Sequence, residues 1–367
     1  MSIIKNINKV LKKNDINFFT GVPDSVLKNY LLSLNNLKKK NHIICTNEGN
    51  AISLATGYNL AKKKMALVYL QNSGIGNIIN PIVSMAHKKV YGIPMLLFIG
   101  WRGAPNLKDE IQHKIQGKIT LKQLKILNIK YKIFNHLNYN RDLNNLIEYS
   151  KKNSQPVAYL FRNNDLNLPS KPLKQKKKII KNTILRSDFL KSLLKIANKT
   201  RIIATTGFTS RELYQLRKKV ENQNIREFYM VGAMGHSSMV ALGYSLNTNK
   251  TTICIDGDGA FLMHMGSSLL AAKLAGKNFK YILLNNECHE SVGGQSTPIT
   301  ELKIDLFSKS LGYKQYIEIN NYKHLDKKLN IFLNSKKSSF LNVKIQPGTI
   351  SNLLRIKKLK DIKNRFN

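Results

Sequence analysis

The residues best suited to chemistry lie near the ends of two strand-like runs in the second half of the chain. Asp258 stands between Gly257 and Gly259 at the end of TTICIDGDG, and Asn286 ends KYILLNN 28 positions later. A helix and a strand fill that interval, so in a parallel sheet both residues return to the same edge. Asp, Asn and backbone carbonyl oxygens form the ligand set that Mg²⁺ prefers, with phosphate oxygens and water completing the shell. The glycines let the backbone approach a diphosphate, and the amides of a helix beginning at Gly259 face its charge.

Two segments of the first half also place polar residues at predicted strand ends. Glu48 follows HIICT and begins a helical pattern, where an acid is commonly only a complement to the helix dipole. Taken alone, that segment favours a purely structural role for Glu48, as a complement to the helix dipole. The run LQNSGIGNIINP after ALVYL could pass for a dinucleotide-binding fingerprint. It lacks the third glycine, and no acid ends the next strand, so this interpretation is weak.

Further candidates follow two other strand-like runs. Arg102 comes directly after MLLFIGW, and His113 lies in what we predict to be the following loop. Either could be a surface residue, but both lie where a substrate would bind. In the second half, VGAMGHSS places Gly232 and Met234 at a strand end, although a methionine there could equally belong to the core.

The elements that must position these residues form two similar halves. Short runs rich in β-formers alternate with segments of helical length, which predicts parallel sheets and an α/β fold. We therefore expect two doubly wound parallel-sheet domains joined near residues 165–185, with ligands at the carboxyl ends of the strands. The predicted strands cover residues 17–22, 42–46, 66–70, 95–100, 157–161, 201–207, 226–232, 251–259, 280–286 and 339–345.

Composition limits the class of protein. A chain of 367 residues with 42% hydrophobic content can bury a core in each of two domains. No window approaches about 20 uninterrupted apolar residues, and the first residues lack the apolar run of a secretory signal. We expect a cytoplasmic protein. The three cysteines, Cys45, Cys254 and Cys288, are far apart and form no CxxC pair, which argues against zinc binding or redox exchange.

The formal charge of +39 would ordinarily indicate a nucleic-acid or anionic-surface partner. Most of the basic residues are lysines spread through the chain, accompanied by the asparagine and isoleucine that an AT-rich genome produces. The densest cluster, residues 176–182, sits in the predicted linker, and no zinc-finger, RRM or helix-turn-helix pattern accompanies it. We expect no nucleic-acid or membrane partner, although a positive field would help to attract a small polyanionic substrate.

Nine short sequence segments occur along the chain in the same order as in a known enzyme family. GDG followed at this spacing by NN, with an upstream glutamate in another α/β domain, is similar to the signature of thiamin diphosphate enzymes. Together the segments resemble the phosphonopyruvate decarboxylase family, whose close relatives are the sulfopyruvate decarboxylases. They cover most of the chain from Gly21 to Thr297: GVPDS, TNEGNA, YLQNSGIGNIINP, LLFIGWRG, DEIQHKIQG, TTGFTSREL, VGAMGHSSMVALG, GDGAFLMHMG and NNECHESVGGQST.

The resemblance implies a domain plan and an assembly. It implies a pyrimidine-binding domain over residues 1–165, a basic linker over 166–185 and a diphosphate-binding domain over 186–367, with no middle domain. It also implies a homo-oligomer, at least a dimer, in which the cofactor lies across a subunit interface between the first domain of one chain and the second domain of another.

Cofactor roles follow from the resemblance position by position. Glu48 matches the glutamate that bonds the aminopyrimidine nitrogen and promotes removal of the thiazolium proton. Gly232 matches the residue whose carbonyl accepts from the 4′-amino group, and Met234 matches the apolar wedge that bends the cofactor. Thiamin diphosphate would be held through its diphosphate by Mg²⁺, whose ligands would be Asp258, Asn286 and the carbonyl of Cys288.

Substrate contacts are implied for five residues of loops that should line the pocket. An arginine suits a phosphonate through paired hydrogen bonds, and a histidine suits proton delivery. Each also has a structural alternative: a helix cap for the aspartate, an ion pair for the arginine and packing for the histidine. The five are Asp24, Ser25, Arg102, His113 and Gln295, with Asp24 and His113 as catalytic candidates.

The implied reaction is decarboxylation of phosphonopyruvate to phosphonoacetaldehyde and CO₂, a step of phosphonate biosynthesis that makes carbon–phosphorus bond formation effectively irreversible. Decarboxylation of sulfopyruvate is the alternative, and the single fused chain favours the phosphonate. A basic nucleic-acid-binding protein on a decayed enzyme scaffold is a third hypothesis, and the intact Glu48, Asp258 and Asn286 argue against it. The chain departs from the family pattern at Glu287 and Cys288, where small residues are usual.

Overall fold

The computed structural model describes residues 3–166, 183–197, 200–218 and 226–366. The chain divides into two compact units, Met1–Gln175 and Lys176–Asn367. Most of the predicted basic linker, residues 167–182, lies outside the described residues. The domain bounds given above stay predictions.

The first unit is a parallel six-stranded sheet with helices on its faces. Its strand order is β2-β1-β3-β4-β6-β5, and every pairing is parallel. The elements are α1 (Ile3–Lys13), β1 (Phe19–Gly21), α2 (Lys28–Ser33), β2 (His42–Ile44), α3 (Glu48–Lys62), β3 (Ala66–Gln71), α4 (Ile75–Pro81), β4 (Met95–Gly100), α5 (Ile111–Ile126), β5 (Lys130–Ile133), α6 (Tyr139–Asn153) and β6 (Val157–Phe161), with 3₁₀ turns at Lys39–Asn41 and Asn72–Gly74 and a π-helical turn at Ile82–Ala86.

Burial explains why this sheet forms where it does. The central strands β3, β4 and β6 are apolar along nearly their whole length, as strands covered on both faces must be. Their alternate side chains supply two separate cores, one on each face of the sheet. The helix α3 begins where the Asn47 side chain accepts a hydrogen bond from the Gly49 amide, 2.8 Å away. That cap fixes Glu48 as the first residue of the helix, at the carboxyl edge of the sheet.

The second unit repeats the plan. Six parallel strands follow the order β12-β13-β11-β10-β8-β9, and the short β7 pairs with the end of β13. The elements are β7 (Ile184–Leu185), α7 (Arg186–Ile196), β8 (Arg201–Ala204), α8 (Phe208–Lys218), β9 (Glu227–Tyr229), α9 (Ser237–Leu246), β10 (Thr252–Gly257), α10 (Asp258–Met263), α11 (Ser267–Leu274), β11 (Phe279–Asn285), α12 (Ile304–Leu311), β12 (Gln315–Ile319), α13 (Leu325–Asn334), β13 (Ser339–Gln346) and α14 (Leu359–Arg365), with 3₁₀ turns at Glu290–Val292 and Pro298–Glu301.

The predicted fold class, two parallel α/β domains without a middle domain, is confirmed, and each predicted run contains a strand. Three strands were missed. β5 is KYKI, whose alternate side chains are exposed, β7 has only two residues, and β12 is mostly half-buried. Two local predictions were wrong: α10 begins at Asp258, not Gly259, and His113 lies in α5 and not in a loop.

Within the described parts of the chain, none of the helices combines the length and the apolar character that crossing a bilayer requires.

Candidate active site

The predicted site residues divide between the units. Glu48, the first residue of α3, is 5% exposed and its Oε2 accepts a hydrogen bond from Asn77 Nδ2 at 2.7 Å. Burial raises the pKa of this carboxyl group, and the bond from Asn77 offsets only part of that effect. Oε1 lies where a side chain on Gly74 would begin: a Cβ built on Gly74 collides with the Glu48 carboxyl group. The glutamate is therefore enclosed by its own unit.

The segment that resembled a weak dinucleotide motif positions two acids. Asn77, on α4, donates to Glu48, while Gln71 Nε2, at the end of β3, donates to Asp24 Oδ1 at 2.9 Å. Between them, Asn72 donates to the Arg102 carbonyl and accepts from the Arg102 amide, at 2.9 and 3.1 Å. Sequence reasoning missed these roles. The sequence did contain one indication of them: the side-chain amides of Gln71, Asn72 and Asn77 interrupt an otherwise apolar strand and helix.

Asp24 has no exposed surface. Its Oδ2 accepts from the Leu27 amide at 2.9 Å, in the turn that leads into α2, so the structural role of a helix-start cap is present. Burial raises its pKa against the opposing effects of its hydrogen bonds and of the Arg102 charge. Gly100 is packed against this carboxyl group so tightly that a Cβ there would overlap Oδ2.

Arg102 has acidic partners already. Its Nε donates to Asp109 Oδ2 at 2.8 Å, Nη2 reaches Asp109 and Glu110, and Nη1 donates to Ser25 Oγ at 3.2 Å. Burial alone would raise the pKa of Asp109, but the paired guanidinium lowers it well below its usual range. The structure thus gives Arg102 an ion pair, the structural alternative to a role in substrate binding. His113 is half-buried in the first turn of α5, and a ring nitrogen lies within 4.8 Å of a carboxylate oxygen of each acid.

In the second unit Asp258 begins α10, directly after β10. It is 3% exposed, and its carboxylate accepts from Thr297 Oγ1 at 2.7 Å and from the Gly259 amide at 2.9 Å. Burial raises its pKa to about 6, since these neutral donors do not replace the lost hydration. A Cβ on Gly257 would meet open space as far as the described residues extend. The predicted phosphate edge therefore has room beside it.

Asn286 and Cys288 lie in the loop after β11. This loop folds back on itself: Cys288 bridges Ser296, and the Thr297 amide donates to the Glu287 carbonyl at 3.0 Å. The fold of the loop brings the Thr297 hydroxyl onto Asp258. Burial, with the nearby Asp258 charge, raises the pKa of the Cys288 thiol to about 12, so the thiol stays protonated. The Cys288 carbonyl accepts from the Glu290 amide at 2.9 Å.

These donors fit a magnesium ion. Asp258 is a buried carboxylate whose hydrogen-bond donors among the described residues are neutral, and a divalent cation would stabilise its charged form. Asn286, in the loop whose Thr297 contacts Asp258, supplies a neutral amide oxygen. The carboxylate and the amide are both hard oxygen ligands. No thiolate is required, which agrees with the protonated Cys288.

The turn between β9 and α9 carries Gly232 and Met234. Ala233 has φ 51° and Gly235 has φ 84°, so the backbone here enters the left-handed region twice. A Cβ on Gly259 would lie 3.4 Å from Met234 Cε and 2.9 Å from the His289 ring. Met234 thus reaches the start of α10, as a residue shaping a cofactor pocket would, and the lack of a side chain at Gly259 makes room for it.

Gln295 is 6% exposed, yet neither its amide nitrogen nor its amide oxygen has a hydrogen-bond partner among the described residues. Gly293, at φ 147°, lies against that amide, where any Cβ would overlap it. Buried amides normally find partners because leaving them without one is costly. Gln295 therefore has two buried polar atoms whose hydrogen bonds a bound polar molecule would supply.

Comparison with known proteins agrees with this geometry. Residues 1–126 match the N-terminal and residues 205–343 the C-terminal binding domain of thiamine pyrophosphate (thiamin diphosphate) enzymes. A phosphonopyruvate decarboxylase of Streptomyces hygroscopicus is 28% identical over 92% of this chain and 86% of its own. A sulfopyruvate decarboxylase of Methanosarcina acetivorans is 26% identical over 94% and 91%, and a sulfopyruvate decarboxylase subunit alpha of Methanocaldococcus jannaschii is 38% identical over 42% and 90%.

Since a sulfopyruvate decarboxylase also matches along both units, a single fused chain does not distinguish the two substrates. The predicted family, enzyme class and thiamin diphosphate binding are confirmed. The chain belongs to the thiamine pyrophosphate enzyme family, as a decarboxylase of the phosphonopyruvate and sulfopyruvate decarboxylase kind.

Proposed function

We propose that this protein decarboxylates phosphonopyruvate to phosphonoacetaldehyde and CO₂, using thiamin diphosphate and Mg²⁺, in phosphonate biosynthesis. The observation that carries the proposal is the pair of buried acids at the carboxyl edges of the two sheets. Glu48 is enclosed with a raised pKa in the first unit, and in the second Asp258 is buried without a positive partner among the described residues. Thiamin diphosphate, when bound, supplies the electron sink that lets a 2-oxo acid lose CO₂.

The second unit would hold the diphosphate end. Asp258, Asn286 and the carbonyl of Cys288 would bind Mg²⁺, and the backbone at Gly257 would approach the phosphates where no side chain intervenes. Met234 would pack beneath the ring system. Each of these residues acts by binding or orienting, which converts a bimolecular encounter into a positioned reaction.

Glu48 would hold and transfer the proton at the pyrimidine end. Asn77 occupies Oε2, so Oε1 is the atom we assign to the ring nitrogen. Because burial raises its pKa, the carboxyl group can keep a proton nearer neutrality than an exposed glutamate does. The Gly232 carbonyl would accept from the amino group of the same ring.

The polar groups near Arg102 support the phosphonate over the sulfonate. Asp109 and Glu110 both contact Arg102, so an anion binding here meets carboxylates as well as a guanidinium. A singly protonated phosphonate can donate a hydrogen bond to a carboxylate, whereas a sulfonate can only accept. We propose that Ser25, Gln295 and His113 complete this pocket and that Asp24 or His113 delivers a proton to the product.

The substrate assignment is tested by competition. We would measure kcat/KM for phosphonopyruvate, sulfopyruvate and pyruvate with saturating cofactor and magnesium. We expect kcat/KM for phosphonopyruvate to exceed both others by at least about a hundredfold, since a site whose buried polar groups are left unpaired rejects a mismatched ligand by up to about 10⁴-fold to 10⁵-fold. A preference for sulfopyruvate, the second candidate because of the matched relatives, would overturn the substrate and keep the reaction class.

We further propose that the first unit of one chain and the second unit of another serve the same cofactor in a homo-oligomer. Two features support this: relatives exist as separate alpha and beta subunits, and Ile111 and Ile115, one turn apart on α5, are 63% and 73% exposed. Mixing inactive Glu48→Gln chains with inactive Asp258→Asn chains should restore about a quarter of the activity, since about half of the dimers are mixed and each has one intact site. No restoration after subunit exchange would contradict the shared site.

A further inference from the structure

A buried charge cluster lies behind the proposed metal loop. It consists of Arg186, the first residue of α7, Glu212 on α8 and Glu290 in the loop after β11. Arg186 is 4% exposed, Glu212 is fully buried and the Glu290 side chain is 14% exposed, so these charges meet each other more than they meet water. One guanidinium thus serves two carboxylates. Charges buried in this way are retained only with good mutual geometry.

Glu290 is the member that touches the metal loop. Its Oε2 accepts from Asn286 Nδ2 at 3.0 Å and from Arg186 Nη2, while its Oε1 accepts from the Gly348 amide. Arg186 Nη1 in turn donates to the Gly348 carbonyl at 3.1 Å, and Glu212 accepts from the Ile350 amide at 3.2 Å. The carboxylate of Glu290 is therefore fixed from three directions.

The chemistry of Glu290 decides which way the Asn286 amide faces. An ionised carboxylate only accepts hydrogen bonds, so the group that Asn286 turns toward it must be the NH₂. The amide oxygen is then directed away from Glu290 and accepts a hydrogen bond from the Cys288 amide, 3.3 Å away. The carbonyl of Cys288 is another of the proposed metal ligands. A glutamine at position 290 would lose this selectivity, since it can also donate to the Asn286 oxygen.

We infer that Glu290 is a positioning residue for the divalent cation: fixed by Arg186 and Gly348, it orients Asn286 with its oxygen toward the metal. This inference rests on the proposed function, because it assumes that the cation binds at Asp258 and Asn286. Nothing in the family resemblance assigned Glu290 a role. Partners that orient metal ligands typically change affinity when they are altered, even though they never touch the ion.

The test is calorimetric titration of Mg²⁺ into protein in the presence of excess thiamin diphosphate, with the same titration without protein subtracted. Glu290→Gln should raise the half-saturating magnesium concentration by about tenfold to a hundredfold. Glu212→Gln is the matched control, because it removes one charge from the same cluster but leaves the contact between Glu290 and Asn286. We expect its half-saturating concentration to stay within about twofold of wild type. Thermal midpoints of both metal-free variants report the purely structural effect.

An unchanged magnesium affinity in Glu290→Gln would overturn the inference, and so would an equal loss in both variants, which would indicate general destabilisation. Should Glu290→Gln fail to fold, Glu290→Asp keeps the charge for Arg186 but withdraws the oxygen by one methylene, and it should weaken magnesium binding in the same direction. Wild-type protein that shows no magnesium-dependent cofactor binding would instead refute the proposed function itself.

Discussion

Replacing Asp258 by asparagine should make the metal-free protein more stable. Asp258 is 3% exposed, and burial raises its pKa from 3.8 to about 6. Each pKa unit corresponds to about 1.4 kcal/mol, so ionising this group in the folded state costs about 3 kcal/mol relative to the unfolded chain. Asparagine cannot ionise and avoids that cost while it keeps the size and an accepting oxygen.

The upward shift of the Asp258 pKa determines the pH range in which the stability of wild type changes. Between pH 3.8 and about 6 the folded protein binds more protons at Asp258 than the unfolded chain does, so wild-type stability falls as the pH rises through that window. Below it both states are protonated, and the two proteins should be nearly equal. Above it Asp258→Asn should exceed wild type by up to about 3 kcal/mol. With cofactor and magnesium present, wild type should instead be more stable than Asp258→Asn, because these ligands bind only the wild-type folded state.

The assay is urea unfolding followed by circular dichroism in a chelator, at about pH 4 and about pH 7.5. Asp326→Asn is the matched control, since Asp326 also lies in the first turn of a helix but is exposed. Its stability should follow wild type at both values. If Asp258→Asn is less stable than wild type in the chelator at the higher pH, the reasoning about an uncompensated buried carboxylate is refuted.

Three other substitutions test separate contacts. Gly74→Ala should lower the free energy of unfolding by about 1–3 kcal/mol and reduce kcat about a hundredfold, because its Cβ displaces Glu48. Gly57→Ala, on the helix α3 that begins at Glu48 but where a Cβ meets open space, should leave kcat unchanged, and equal kcat values in the two variants would contradict this. Gln295→Met should stabilise the ligand-free protein by about 1–2 kcal/mol and raise KM, and unaltered KM would argue against substrate contact. Lys280 is buried, its Nζ donates to two backbone carbonyls, and burial lowers its pKa to about 8. The free energy of unfolding of wild type should therefore rise between pH 8 and 10.5, whereas that of Lys280→Met should not. Parallel curves of stability against pH for the two proteins would refute this.

The sequence predicted the parts of the fold that depend on buried apolar runs. Strands β3, β4, β10 and β11 are nearly uniform in burial, and their β-formers were recognised from composition alone. β5 and β12 were missed because their half-exposed side chains carry no such signal; they exist because a neighbouring strand pairs with them. Pairing between distant segments is a tertiary effect that local propensity does not encode.

Within the site, the sequence predicted the candidate metal-binding residues better than the residues that hydrogen-bond the buried acids. Asp258 and Asn286 could be recognised because their glycines and spacing are unusual. Thr297 and Asn77 could not, since a hydroxyl or amide many residues from its acid becomes relevant only when the loop folds onto it. The partner of Arg102 could not be predicted either: the residue type indicates an ion pair as one alternative, but only the fold shows that Asp109 accepts it.

The decisive measurement is CO₂ release from phosphonopyruvate by wild type and by Glu48→Gln, each shown beforehand to bind thiamin diphosphate and magnesium. We expect rapid release by wild type with a phosphonoacetaldehyde product, and a rate at least about a thousandfold lower in the variant, the upper range of acid–base contributions. Equal rates in the two proteins, or no release by a wild-type protein with cofactor bound, would contradict this expectation.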